Sequence, residues 1–344
     1  MRVAIVGDSL VGKSTLLKIL TDGNYSKGAG YVSGIGTFVL EDPNLFFLAD
    51  IYDSQKITPI HIEALDFEGF GKLWKDEKRG EIRNELTKAE ALILVISDAN
   101  DRDLGETFTQ IEYKLLLTDL DFVSRRLEAL ERERTKKKVN EQELVLLRKI
   151  ESWLSNEKPL YSLDLQESEK EIIKGYSFVS SLPQIFVINR KEESLSQNLP
   201  ASVIEKINER NSPYFLTCLK IEEELISMSP VEKKEILSSY GITRGIKEEI
   251  SSAVVSALQI TVFYTAGKTE VRAWYVPEGS TAKQAAGKIH SDMEKGFIRA
   301  EVINIEDLKS AGSEKKAKEL GLYRLEGKDY IVKSGDVLLI RFSV

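Results

Sequence analysis

The sequence predicts an α/β protein: a mostly parallel sheet flanked by helices, interrupted by an antiparallel helical coiled-coil hairpin and closed by a small mixed α+β domain. Three observations carry this. Short aliphatic and β-branched runs alternate with helical stretches over residues 1–114, the texture of buried strands in a parallel sheet. From about Leu115 the leucines step by four and three instead. The first apolar run passes directly into a glycine loop and then an apolar helix, the arrangement in which a helix N-terminus receives phosphate.

Met1–Val6 reads as the first strand, with a helix from Lys13, alternation near Thr37–Leu40, and buried strands HIEAL and ALILVIS, the latter at 91–97. Leu116, Leu120, Val123, Leu127 and Leu130 then form a coiled-coil seam, and Leu144, Leu147, Ile150 and Leu154 answer it on a second helix. Arg132, Arg134, Lys136, Lys137 and Lys138 lie between the two, at the expected tip. No glycine or proline intervenes before Pro159. Strand texture resumes at QIFVIN (184–189) and YFLTCL (214–219), so the hairpin, 115–158, is an insertion into one nucleotide domain of 1–114 plus 159–257. QITVFYT, EVRAWYV, a helix at Ala282–His290 and strands near Ile298–Ile303 and Val337–Phe342 make the closing domain, 258–344.

A chain of 344 residues is long enough for two or three cores. No apolar run approaches the roughly 18 residues of a membrane span, and no signal peptide is visible. A cytoplasmic, monomeric protein with no membrane partner is expected. The one cysteine, Cys218, excludes an intrachain disulfide, and two histidines, His61 and His290, argue against a His-rich metal site. Net charge is −7, but 14 Lys/Arg stand against 12 Asp/Glu from Leu258 onward, leaving about +2 there and about −9 upstream. The basic knot at 132–138 is either a solvated helix end or a contact for a partner.

Gly7-Asp8-Ser9-Leu10-Val11-Gly12-Lys13-Ser14 satisfies G-x-x-x-x-G-K-[ST] between a strand and a helix. Backbone N–H groups of Ser9, Val11, Gly12, Lys13, Ser14 and Thr15 are candidates to wrap phosphate, with the Lys13 ammonium on the β- and γ-phosphates and the Ser14 hydroxyl on Mg²⁺. Asp66-Phe67-Glu68-Gly69 has the D-x-x-G form: Asp66 to hold Mg²⁺ through water, Gly69 to offer an N–H to the γ-phosphate. Phe70 stands where many GTPases place the glutamine that orients water, so no catalytic residue is assigned. Asn189-Arg190-Lys191-Glu192 ends a strand where GTPases carry N-K-x-D. Glutamate is one methylene longer than aspartate and misplaces the acceptor for guanine, which favours adenine; Glu192 can equally be a solvated loop residue. Asn189, Glu192, Thr217, Cys218 and Leu219 are the candidate base contacts. Cys218 itself reads as a buried small hydrophobe, His61 as a core or edge histidine, and His290 as structural or partner-facing.

These motifs, the inserted coiled coil, and the phrases LLLTDLDFVSRRLEALE, CLKIEEEL and VFYTAGKTEVRAWYVPEGSTAKQAAGKIHSDMEKGFIRAEVI resemble the YchF-type (Obg-like) ATPases, over essentially the whole chain. The resemblance implies a P-loop NTPase sheet and a C-terminal ubiquitin-like β-grasp (TGS) domain. It also implies a cytosolic ATPase that accepts GTP in part, associates with the ribosome, and has a hydrophobic residue at the glutamine position, as Phe70 is. Three departures stand out. Leu10 replaces an asparagine linked to a catalytic monovalent cation, Lys27-Gly28-Ala29-Gly30-Tyr31 lacks the switch I threonine, and KLWKDEKRGEIR replaces a glycine-rich stretch. All three fall on hydrolysis rather than binding. The expectation is slow, K⁺-insensitive hydrolysis by a ribosome-associated regulator; a nucleotide-stabilised adaptor and a GTP-specific switch are the competing readings.

Overall fold

β1 (Arg2–Val6) is buried along its last four residues, which places it at the centre of a seven-stranded sheet. The computed structural model describes residues 1–69, 79–98, 103–134, 139–173 and 175–343. From β1 the chain passes through α1 (Lys13–Leu20), β2 (Tyr25–Lys27), β3 (Val32–Val39), α2 (Pro43–Tyr52), β4 (Ile57–Thr58) and β5 (His61–Phe67). It continues with α3 (Arg79–Leu86), β6 (Ala91–Ser97), α4 (Leu104–Arg134), α5 (Glu141–Ser155), α6 (Glu167–Ile173) and β7 (Gln184–Asn189). Then follow α7 (Ala201–Glu209), β8 (Tyr214–Thr217), α8 (Leu219–Glu224), α9 (Pro230–Ser239) and α10 (Ile246–Ala257). Two units result: Met1–Phe38 with Glu63–Ile250, and Val39–Ile62 with Ser251–Val344.

In the first unit the strand order is β2-β3-β5-β1-β6-β7-β8. β5, β1, β6, β7 and β8 run parallel, and β2 pairs antiparallel with β3. β6, ALILVIS, is buried at every residue, as a central strand covered on both faces requires. Parallel strands bring their carboxyl ends to one edge. The loops after β1, β5, β7 and β8, which carry the motifs, therefore meet there.

α4 begins at Leu104, earlier than the change of leucine period, because it serves two cores. Leu104, Phe108, Ile111 and Leu115 pack with β6 and β7 residues in the sheet core. Leu116, Val123, Leu127 and Leu130 then join Leu144, Leu147, Ile150 and Leu154 of α5 in a separate hairpin core, with Leu120 at its margin. Asn140 caps α5, its side chain accepting from the backbone N–H of Gln142 and Glu143.

Asp119 lies at the junction of these cores and is fully buried. Its two carboxylate oxygens accept the backbone N–H groups of Val179 and Ser180, both at 2.8 Å, tying the returning chain to α4. Burial pushes this carboxyl up to about 6, with the bonds from Ser180 and Val179 and the Arg83 charge opposing it. A folded value above the unfolded one means that the native state holds the proton more tightly. The stability this contributes is complete at acid pH and is lost as pH rises from about 4 to about 6.

The second unit holds a six-stranded mixed sheet of order β12-β11-β13-β9-β10-β4. Its further elements are β9 (Ile260–Ala266), β10 (Val271–Pro277), α11 (Ala282–Ile289), α12 (Ser291–Lys295), β11 (Phe297–Asn304), α13 (Ile305–Ala311), α14 (Glu314–Glu319), β12 (Arg324–Glu326) and β13 (Asp336–Phe342). β13 pairs parallel with β9, while β9–β10, β11–β12 and β11–β13 are antiparallel. Ala282, Ala285 and Ala286 of α11 lie against Phe263, Val302 and Leu338, small residues that let the helix approach the sheet. A capping box of Thr281 and Gln284 opens that helix. The unit also takes in Val39–Ile62, which the texture of the sequence groups with the first domain: β4 pairs with β10, and the Tyr264 hydroxyl bonds Asp42 at 2.5 Å. Among the described residues, no helix is long and apolar enough to cross a membrane.

The buried carboxyl gives the first prediction. The unfolding free energy of wild type should fall by up to about 3 kcal/mol between pH 4 and pH 7 through Asp119 alone. In Asp119→Asn that slope should flatten; denaturant titrations across the range measure it, and an unchanged slope refutes the assignment.

Candidate nucleotide site

The P-loop is shaped by Gly12, whose φ of 103° lies in the left-handed region. A Cβ there would stand 2.8 Å from both the Asn189 Nδ2 and the Leu219 Cδ1, so only glycine fits. Gly12 offers no side-chain cap to the first-turn N–H groups of α1. Leu10 also has a positive φ, 64°, and is 85% exposed. Leucine is strained in that region, and asparagine tolerates it better, so the loop keeps its shape here at a cost. Lys13 is buried and its Nζ donates to the Asp8 carbonyl at 2.7 Å. Burial lowers the affinity of this ammonium for its proton, and Asp66, Asp8 and Glu68 oppose that shift.

Asp66, at the end of β5, is almost wholly buried. One oxygen, Oδ2, accepts the Ser14 hydroxyl at 2.5 Å and the Ser33 hydroxyl at 2.8 Å. The other, Oδ1, is buried without a hydrogen-bond partner. A buried carboxylate with an unsatisfied oxygen and two hydroxyls on its neighbour is a donor set that fits a hard divalent cation such as Mg²⁺. Ser33 was not visible from the motifs; its position on exposed alternate residues of β3, beside Gly34, is the only signal. Gly69 lies against the P-loop, where a Cβ would approach within 2.4 Å of the Ser9 Oγ and 2.5 Å of the Ser9 N. Glu68 N bonds the Tyr31 carbonyl at 3.0 Å, which links this segment to the turn before β3. Phe70 lies outside the described residues.

Of the residues expected at the base, Asn189 is a strut. Its Nδ2 donates to the Val11 carbonyl at 2.9 Å, and its Oδ1 accepts the Leu219 N–H at 3.0 Å. Thr217 gives its hydroxyl to Glu222 at 2.5 Å. Cys218 is buried and Leu219 packs behind Gly12, so neither side chain presents a polar atom to a base. Glu192 is exposed and accepts the Tyr240 hydroxyl at 3.0 Å. Arg190 turns inward: its Nε reaches Asp98 at 2.6 Å, and the Lys191 N–H and Ser194 hydroxyl bond the same carboxylate. Burial raises the Asp98 pKa, but the bonds from Ser194, Arg190 and Lys191 outweigh it and hold it below the usual carboxylate range. Asp98 and Glu222 had no motif; an acid at the end of a fully buried strand was the readable sign for the first.

A family model, YchF-GTPase_C, described as "Protein of unknown function (DUF933)", matches residues 260–343. The ribosome-binding ATPase YchF of Pasteurella multocida is 34% identical over 361 residues, covering 100% of this chain and 99% of that protein. That of Bacillus subtilis is 31% identical over 367 residues, with full coverage of both. The chain belongs to the YchF family. The solved YchF GTPase of Schizosaccharomyces pombe shares its fold, with a TM-score of 0.81 at 22% identity over 99% of this chain and 97% of that one.

Two residues beyond Lys27–Tyr31, the stretch without the family's threonine, Ser33 donates its hydroxyl to Asp66. At the hairpin tip Arg132 pairs with Glu128 at 3.3 Å and Arg134 with Glu141 at 3.1 Å, both exposed. Lys136, Lys137 and Lys138 lie outside the described residues.

If Asn189 is a strut and Glu192 a surface residue, their truncations should differ. Asn189→Ala should lose about 2 kcal/mol of unfolding free energy, two hydrogen bonds at about 1 kcal/mol each. Glu192→Ala should stay within about 0.5 kcal/mol of wild type. Urea unfolding of both separates them, and equal losses would contradict the assignment.

Proposed function

We propose that this YchF-family chain binds ATP in preference to GTP, hydrolyses it slowly with Mg²⁺, and acts as a regulator at the ribosome in the cytoplasm. The observation that carries the nucleotide reading is Asp66: its Oδ2 is held by Ser14 of the P-loop and its Oδ1 is buried and unsatisfied. Ser14 and Asp66 are the residues that hold Mg²⁺, whose charge offsets that of the β- and γ-phosphates. Lys13 gives its ammonium to the same phosphates, and the N–H groups from Ser9 to Thr15 surround them. Gly69 supplies a further N–H close to Ser9.

Preference for ATP rests on Glu192 in place of the aspartate that pairs guanine. Tyr240, hydrogen-bonded to Glu192, fixes the direction of that carboxylate. The P. multocida and B. subtilis relatives are named ribosome-binding ATPases, which supports the ribosome as partner. Leu10 supplies no oxygen to a monovalent cation, and its side chain points to solvent. Slow turnover, little affected by K⁺, follows.

Calorimetry tests the reading. Wild type should bind ATP more tightly than GTP, Lys13→Ala should bind neither while keeping its circular dichroism, and Glu192→Asp should move the preference toward GTP. Near-wild-type affinity in Lys13→Ala removes the proposal, and binding without any turnover leaves the adaptor reading in its place.

For the partner, the hairpin is the candidate surface. The stretch from Lys114 to Arg134 within α4 spans about 30 Å at 1.5 Å per residue. That distance exceeds the ~8 Å Debye length, so the tip is screened from the acidic nucleotide domain. Serine at Arg134, Lys136, Lys137 and Lys138 should reduce ribosome co-sedimentation and flatten its salt dependence, with ATP affinity unchanged. Co-sedimentation equal to wild type across a salt series would return the tip to a solvated helix end.

A further inference from the structure

Asp8, the second residue of the P-loop, places a carboxylate in a loop built to hold phosphate. Its side chain is only 7% exposed. A buried like charge this close opposes an incoming phosphate unless something neutralises it. The neutralising group comes from outside every motif: the Nζ of Lys114 lies 2.9 Å from the Asp8 Oδ1, with the lysine side chain 22% exposed. Lys114 sits on α4 between Ile111 and Leu115, both buried in the sheet core, so packing fixes where its stem leaves the helix. Lys13 meets the same residue differently, through the Asp8 backbone carbonyl. One lysine thus holds the main chain of Asp8 and the other its side chain.

We infer that Lys114 is a positioning residue of the phosphate site: its ammonium neutralises Asp8 and holds the P-loop in the form that receives the β- and γ-phosphates. The inference rests on the nucleotide reading above and adds a residue to it. It makes the helix that carries the hairpin part of the phosphate site at its root. Lys13 can release the Asp8 carbonyl and move to phosphate, because a carbonyl tolerates that loss better than a carboxylate does. Lys114 has to stay, since removing it takes a positive charge away from the Asp8 carboxylate beside the triphosphate.

The experiment is calorimetry with Mg·ATP and Mg·ADP at fixed ionic strength on wild type, Lys114→Met, Asp8→Asn and the double variant, with thermal melts of each. Lys114→Met should weaken ATP binding by about tenfold or more, from the loss of the positive charge that faces Asp8. Asp8→Asn removes a negative charge near the phosphates and should tighten ATP relative to ADP. The double variant should recover to within about threefold of wild type, since both charges are gone together. A pair that only props up the fold gives another pattern, in which the double variant is as weak as Lys114→Met and affinity follows the melting temperature. Wild-type affinity in Lys114→Met, or no recovery in the double variant, overturns the inference while the nucleotide reading stands. A wild type that binds neither nucleotide overturns both, and the two failures are distinct in one data set.

Discussion

The amide of Asn189 holds the P-loop from behind, joining the loop after β1 to the turn after β8. A phosphate-binding loop has to leave its N–H groups unpaired toward the ligand, so it cannot be stabilised from the side it uses. Asn189 solves this with one planar group, donating to the Val11 carbonyl and accepting the Leu219 N–H. The contact requires Gly12, because a Cβ there would strike both Asn189 and Leu219. It also fixes the turn after β8, where Thr217 hands its hydroxyl to Glu222 and Glu222 receives the Ile246 N–H. Burial drives the Glu222 pKa upward, and these donors oppose the shift. The ends of β1, β7 and β8 and the start of α10 are thereby one hydrogen-bonded assembly.

α4 imposes a second constraint, since one helix is divided between two cores. Its first turns pack on the sheet and its later turns on α5, with Asp119 at the point of transfer. A helix packed this way cannot rotate about its axis without disturbing both cores at once. Lys114 lies on the half of the helix that packs on the sheet, where its ammonium meets Asp8 of the P-loop.

Much of the architecture was legible because it is periodic. β1, β6 and β7 are runs of buried aliphatics, and the leucines that step by four and three from Leu116 to Leu154 fall in one hydrophobic cluster, with Leu120 only partly buried. The glycine turn between β1 and α1 was legible because its motif has a fixed spacing. What escaped was side-chain partnership across long sequence separations. Ser33 on Asp66, Lys114 on Asp8 and Arg190 on Asp98 have no local pattern, because each depends on which strands and helices become neighbours. Asn189 shows the converse: its motif was recognised and its side chain is committed to backbone groups. Val39–Ile62 joins the second unit through β4, a pairing of two residues too short to leave a period.

The charges around the phosphate site set the order in which its contacts can change. Lys13 is flanked by Asp66, Asp8 and Glu68, which raise its proton affinity against the effect of burial. Those three carboxylates outnumber Lys13 and Lys114, and a triphosphate adds further negative charge to the same volume. Asp66 and Asp8 are buried while Glu68 is exposed, so without compensation the two buried carboxylates are the costly neighbours of a phosphate. The divalent cation proposed on Ser14 and Asp66 would offset that charge on one side, and the Lys114–Asp8 pair offsets one carboxylate on the other. Lys13 is then the group left to respond: its ammonium donates to the neutral Asp8 carbonyl, and exchanging that acceptor for an anionic phosphate oxygen would add the attraction of an opposite charge. The P-loop lysine is held ready by a weak partner because the strong one, the Asp8 carboxylate, is already taken by α4.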